Sequence, residues 1–499
     1  MRRLADTKYF VLPLLFIIIL GAFLRFFRIK ELGTFRGDQA TELLGAAQIL
    51  HGRLTLVGIK TSISEIRNGA VMYYLLAPFL WLFRFDPVAG GALQTILSLV
   101  AIIPIFFLGK TIGGIRLGLV VAFLVTTSAL LVEYSRQTML AYYPLFFVSL
   151  SLLLFWKIVE KFDSFKVFFL GTLLGFMLQI HYSTLAVLIA ALLLPFFFLK
   201  RSKIAAYFLT LLAGFLLGFA PMIIFELRHE FFQTKMLGHY LRETSGIYFL
   251  AKPEAYFSYW SNILGSLYFG GNQILGALSA LSLLTIATFR FLKGKVKIIE
   301  RLCILQIVTT ALFILLFVKE VKVVHYAISC FPSIILLTAS LPFSPGLRNR
   351  SLGVNLALMA ILVLFFMINF PAYQLGRDHG FSMENGWNLP GVEKAAKLIV
   401  EDVDGKKFNV AMAVDMENQA LPLRYFLFIS EKSPLGVEYY GEAEALYVVA
   451  NLGTNLRDVK MWEITAFGPF CIKRFWPIQS IYRLYRLEKN LSGKDCKTL

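Results

Sequence analysis

Charge is scarce in this chain of 499 residues: Asp, Glu, Lys and Arg make up 16% of it, against about 25% in an ordinary soluble domain. Cysteine is scarcer still, at 4 residues, and none form pairs at zinc spacing; no H-E-x-x-H stretch occurs either, so no zinc signature is present. A glycine-rich phosphate loop and a nucleophile elbow are also missing, which argues against nucleotide hydrolysis and serine-hydrolase chemistry. Internal repeats and low-complexity tracts are absent as well.

What the chain has in excess is apolar surface. Hydrophobic residues make up 58% of it, 48 residues are Phe, and the mean hydropathy is +0.69. Such a composition predicts a polytopic α-helical membrane protein. Crossing the hydrocarbon layer takes roughly 20 apolar residues, and eleven candidate runs start near positions 9, 88, 117, 142, 167, 184, 204, 268, 301, 323 and 352. No A-x-A-like cleavage site follows the first, so it reads as a retained anchor. The stretch VMYYLLAPFLWLFR in the first outer loop is too short to span and reads as an interfacial helix.

The net charge of +18 is distributed as topology requires, not as a nucleic-acid surface would be. Basic residues gather before the first run (Arg2, Arg3, Lys8) and in alternate loops (Lys110 and Arg116; Lys157, Lys161 and Lys166; then KRSK, RFLKGKVK and LRNR). By the positive-inside rule the N-terminus is then cytoplasmic. The outer set is 28–87, 134–141, 181–183, 225–267, 319–322 and the tail from 371. All six histidines, 51, 181, 229, 239, 325 and 379, fall on that outer side or at its edge. Cys303 and Cys330 lie within spans as packing residues, whereas Cys471 and Cys496 share the tail, where a disulfide can form. Residues 371–499 change composition and read as a small α/β domain, a lid or acceptor-docking module: a helix, a turn at Asp404 and Gly405, a strand, a helix near 418–429, and strands near 445–450 and 461–466.

The polar chemistry concentrates in FRGDQATELLGAAQILHGR, residues 35–53, where Asp38 and Glu42 precede apolar positions at helical spacing. Asp38 either caps this helix or serves as a general base at the membrane edge.

The stretch DQATELLGAAQILHG resembles the first outer loop of GT-C fold glycosyltransferases, the bacterial relatives of protein O-mannosyltransferases and aminoarabinose transferases, which open it with D-E-A and A-x-x-L-L-x-G. Gln39 stands where that pattern has its second acid. RNGAVMYYLLAPF is similar to the family's Tyr-rich segment, with Ala70 where Pro is common, EYSRQTMLAYYPLFF to its second outer loop, and HYAISCFP to its late His-Tyr-Pro motif. Some aminoarabinose transferases carry an Asp where this chain has Thr138; either Glu133 substitutes or that function is absent.

The resemblance implies a GT-C-like catalytic domain over 1–370 in the cytoplasmic membrane. It implies transfer of a sugar from a polyprenyl-phosphate donor to a protein, lipid or glycan acceptor on the outer face, with inversion and Asp38 as base. Glu65 and Glu133 are further candidate carboxylates. Arg67, Arg136, Lys235, His239, Lys322 and His325 are the cations that can receive the departing phosphate, Arg67 and His325 foremost because they occupy the motifs; each has snorkelling to lipid headgroups as its plain alternative. Tyr73 and Tyr74 either contact sugar and lipid or belong to an interfacial aromatic belt. A divalent metal is not demanded, since Gln39 and Thr138 both lack the acid that would hold one. A lipid-linked saccharide transporter and a polysaccharide polymerase or ligase remain the competing classes.

Overall fold

The computed structural model describes residues 2–61, 65–243, 252–292, 294, 296–318, 323–340, 352–415 and 417–490. Lys322 and Cys496 lie outside the described residues. Helices dominate the chain up to Asn369. Among the described residues, Val88–Thr127, Arg201–Gly218, Ile298–Phe317 and Asn355–Tyr373 are long and apolar enough to cross a membrane, and a fifth crossing follows if Pro253–Tyr268 and Gln273–Ile286, bent by 104°, count as one. Shorter apolar helices, Phe10–Phe26, Ser164–Ile180, Tyr182–Phe198 and Val324–Ser340, accompany them.

The turn expected between the runs starting near 88 and 117 is present, and glycine makes it. At Gly113 and Gly114 the helical dihedrals fail, with φ +80° at Gly114, a conformation that costs only glycine nothing. The chain folds back there. A Cβ on Gly109 would lie 2.6 Å from Val121, and one on Gly118 2.9 Å from Phe106. A second difference is at 225–267, expected as one outer loop. Its last part, Pro253–Tyr268, is an apolar helix that buries Tyr259, Ile263, Leu264 and Leu267. The helix Gln273–Leu292 follows it so closely that a Cβ on Gly276 would meet the Ser261 carbonyl.

The first outer loop forms a helix Gly37–Leu50, a hairpin of β1 (Val57–Lys60) and β2 (Arg67–Gly69), and the short helix Val71–Leu82 expected of its apolar stretch. The two helices touch where Gly45 leaves no room: its Cβ would stand 2.4 Å from the Tyr73 ring.

Beyond residue 370, β3 (Phe408–Met412), β4 (Ala445–Asn451), β5 (Phe470–Gln479) and β6 (Tyr482–Lys489) form one sheet in the order β3-β4-β6-β5. β3 and β4 run parallel, joined by the helix Leu421–Ile429, while β6 is antiparallel to both its neighbours. Residues 461–466, expected as a strand, instead form the helix Trp462–Phe467. Its apolar residues suit helix spacing, since Ile464 and Phe467, one turn apart, are the buried pair, and Gly468 at φ +93° ends it.

This sheet is not free of the rest. The helices Leu389–Asp402 and Leu421–Ile429 share one apolar core with the loop helix Gly37–Leu50 and the helices before Asn369. Phe35 meets Tyr425 and Phe426 edge-on, both at 5.9 Å, and the Tyr425 hydroxyl donates to Phe85 O at 2.6 Å.

Candidate active site in the first outer loop

The helix Gly37–Leu50 presents two carboxylates one turn apart, and burial separates them. Asp38, in the first turn, is exposed, and no hydrogen bond to its carboxylate occurs among the described residues. Gln39 does the capping instead: its Oε1 accepts from Arg36 N at 3.0 Å. Surrounding protein still crowds the Asp38 carboxyl enough to raise its pKa above the usual range, with Arg36 opposing. The Tyr142 hydroxyl, in the second outer loop, lies within its electrostatic reach.

Glu42 is 1% exposed. Its Oε2 accepts from Thr138 Oγ1 at 2.5 Å and its Oε1 from Leu140 N at 2.8 Å, so it ties the first loop to the second. Thr138 in turn shares a hydrogen bond with the Tyr143 hydroxyl. Burial pushes the Glu42 carboxyl up to about 8, against those hydrogen bonds, which stabilise the charged form. The sequence placed Glu42 beside Asp38 on this helix without giving it a role. The available signal was its spacing of four from Asp38, on the side where apolar positions 43, 46 and 47 are buried.

Tyr73 packs against Gly45 of this helix, and the charges of Glu42 and Arg67 both act on its hydroxyl. Arg67 is held by its backbone, not its side chain. Its N–H donates to Gln233 Oε1 at 3.0 Å, and its carbonyl accepts from Gln233 Nε2 at 3.2 Å and from the Tyr182 hydroxyl at 3.1 Å. The exposed guanidinium donates only a long 3.4 Å bond to Gly58 O. Beside it, buried Asn68 Oδ1 and Gln179 Oε1 lack partners among the described residues. Gly69 is what lets Gln179 approach, since a Cβ there would lie 2.6 Å from it. His325 joins the second loop through an edge contact with Tyr142 at 5.7 Å and lies 5.9 Å from the His181 ring, while Tyr142 stacks on Tyr134 at 3.8 Å. The Asp38 charge thus reaches Tyr142, which touches His325, and the charges of Glu42 and Arg67 both reach Tyr73.

Other expected site residues have different tasks. Glu65 is exposed on the hairpin and pairs with Lys60 at 2.5 Å, which leaves it far from being a desolvated base. Arg136 is 2% exposed and donates to Tyr373 O at 3.1 Å and Leu24 O at 2.9 Å, with Glu133 3.7 Å away. That pair is a structural ion pair, because the guanidinium is committed to main-chain carbonyls and Glu133 is the half-buried counter-charge. Arg136 also borders a cavity of about 20 Å³ with Gln39 and Thr138, room for about one water and no sugar. Tyr74 is exposed and uses its hydroxyl on Thr55, donating to its carbonyl at 2.9 Å. Lys235 and His239 sit exposed along the helix Phe232–Glu243, Lys235 4.0 Å from Glu230.

No family model and no curated protein matches this chain by sequence. Solved structures do match its fold. The ArnT of Cupriavidus metallidurans, solved bound to undecaprenyl phosphate, superposes with a TM-score of 0.60 over 97% of this chain and 99% of its own, at 9% identity. Its apo state gives 0.62 at 10% identity, over 97% and 98%. The Archaeoglobus fulgidus oligosaccharyltransferase, solved with zinc and sulfate, gives 0.52 at 13% identity over 88% of this chain and 68% of that one. These are GT-C enzymes, and the chain is a membrane protein with the GT-C fold. At such identities the likeness concerns the fold; the chemistry has to come from the site.

Proposed function

We propose that this protein is a glycosyltransferase that moves a sugar from a polyprenyl-phosphate carrier to an acceptor hydroxyl at the outer face of the membrane, with inversion. In this reading the chain crosses eleven times, with its N-terminus inside and residues 371–499 outside. The observation that carries the proposal is Asp38: an exposed carboxylate without a hydrogen bond among the described residues, crowded enough to be more basic than an ordinary one, on a fold shared with an enzyme solved bound to undecaprenyl phosphate.

The acceptor oxygen attacks the anomeric carbon as the bond from that carbon to the phosphate oxygen breaks. Its proton passes to Asp38, and the polyprenyl phosphate departs with the electron pair. A base on the attacking side and cations on the departing side are what such a displacement needs. Arg67, presented by Gln233 and Tyr182, would meet the phosphate as the cation, and half-buried His325, beside Tyr142, as a neutral N–H donor.

The test is transfer from radiolabelled polyprenyl-phosphate sugars, mannose and aminoarabinose included, to a panel of protein, lipid and glycan acceptors by full-length protein in lipid. Asp38→Asn should transfer at least about a hundredfold more slowly, with its melting temperature unmoved because Asp38 makes no cap. Parental transfer by Asp38→Asn would remove the base from the mechanism.

A further inference from the structure

The end of the loop helix that carries Asp38 is held from a distant part of the chain. Arg36, just before that helix, spreads its guanidinium over the 382–417 segment. Its Nε lies 3.3 Å from Glu417 Oε1, 381 residues along the chain, Nη1 donates to Ser382 O at 3.1 Å, and Nη2 donates to Asp415 O at 2.5 Å. Glu417 also lies against Gly37, where a Cβ would stand 2.5 Å from its Oε2. Glycine at 37 is thus what admits this carboxylate to the first turn. There the Gly37 amide and Arg36 favour its charged form against the burial that disfavours it.

Asp38 is the next charge along. The groups in its electrostatic reach are Arg36, Glu417, Glu42 and Tyr142; Asp415 faces Arg36 and Glu417 from behind. Of these only Arg36 is a cation. Two carboxylates, Glu417 and Asp38, therefore compete for one guanidinium, and in this structure Glu417 holds it. If Arg36 turned to Asp38, the ion pair would occupy the oxygen that must take the acceptor's proton and lower its proton affinity.

We propose that Glu417 is a positioning residue for the transfer step: by engaging Arg36 and Gly37 it keeps the guanidinium off Asp38 and leaves that carboxylate open to an acceptor hydroxyl. The tail of the chain then prepares the base and is more than a cover over it. This inference rests on the reading of Asp38 as base.

Two readouts separate the two claims. The first needs no substrate: the full-length protein in lipid is labelled with a carbodiimide, which reacts with protonated carboxyls, and the labelling of Asp38 is followed by mass spectrometry against pH. Glu417→Gln, which keeps the side chain's size and removes its charge, should lower the Asp38 midpoint by about one pH unit, and the double variant Glu417→Gln/Arg36→Gln should restore it. Arg36→Gln alone should raise the midpoint, an arm that remains readable if Glu417→Gln does not fold. The second readout is sugar transfer beside Asp38→Asn. Glu417→Gln should lose about tenfold in kcat, the equivalent of one pH unit, with KM for the polyprenyl-phosphate sugar within about twofold of the parent, and the double variant should regain the loss. Midpoints that stay with the parent in Glu417→Gln or in Arg36→Gln overturn the inference. So does a kcat loss that the double variant deepens, because that is what a purely structural tie between the two segments gives. Parental transfer by Asp38→Asn overturns the base reading instead, and the labelling midpoints still judge the contest for Arg36.

Discussion

Replacing Glu42 by glutamine should make this protein more stable at high pH. The carboxyl is 1% exposed, and its pKa rises from 4.5 in the unfolded chain to about 8 in the fold. Between those values the folded protein keeps a proton that the unfolded chain has released. Stability is therefore full below about pH 4.5, falls as pH rises toward 8, and levels off above it. At about 1.4 kcal/mol per unit the shift corresponds to roughly 5 kcal/mol, an upper figure because buried sites respond as a medium of higher dielectric than dry protein. Glutamine has the shape and bonding of the protonated acid: its Nε2 can donate to Thr138 Oγ1 while its Oε1 accepts from Leu140 N, the partners Glu42 has now. The assay is the melting temperature of the purified protein in lipid from pH 5 to 9. The parent should lose stability toward pH 8 while Glu42→Gln stays flatter and overtakes it. Glu42→Ala, which leaves a cavity and an unpaired Leu140 amide, should lose about 2–4 kcal/mol at pH 5, where the parent carboxyl keeps its proton, with a smaller deficit at pH 9. If Glu42→Gln follows the parent's pH dependence, or melts below the parent at pH 9, burial does not govern this carboxyl and the reasoning fails.

Two arginines should separate stability from chemistry. Arg136→Gln removes the buried guanidinium from half-buried Glu133 and from the Leu24 and Tyr373 carbonyls and should cost about 3–5 kcal/mol, read as a lower melting temperature or loss of folded protein. Arg67→Gln should melt with the parent, because backbone bonds hold that strand, and should instead raise KM for the polyprenyl-phosphate sugar; an unchanged KM would take Arg67 out of donor binding. Gly45→Ala drives a methyl into the Tyr73 ring, 2.4 Å away, and should cost about 1–3 kcal/mol. Transfer should fall with it, since the Tyr73 ring packs on the helix that carries Asp38 and Glu42, and parental stability and activity together would show that the ring gives way freely.

Local chemistry made much of this protein legible in its sequence. Long apolar runs, a short run unable to span, and basic clusters in alternate loops mark a membrane protein because hydrocarbon imposes the same demand on every segment. The loop helix with Asp38 and the short helix after Arg67 follow from 3.6-residue periodicity. Where the sequence reading failed, the deciding contact was remote. Nothing near residue 42 tells that its carboxylate will be sealed against Thr138 and Leu140, and nothing near 136 tells that the arginine will turn inward to Leu24 and Tyr373. Residues 461–466 have apolar residues that suit either element, and packing of Ile464 and Phe467 on one side settled them as helix.

Residue types and their order thus determined the solvent this chain folds in, the loop that carries its acids, and the cations available to an anionic donor. Tertiary structure alone decided which acid is exposed and which is buried, which arginine faces outward, and that Glu417 holds the guanidinium beside Asp38. The reason is physical: periodicity and hydropathy act through neighbours in the chain, whereas the free energy of a charge depends on the dielectric and the partners around it, and these come from segments hundreds of residues apart.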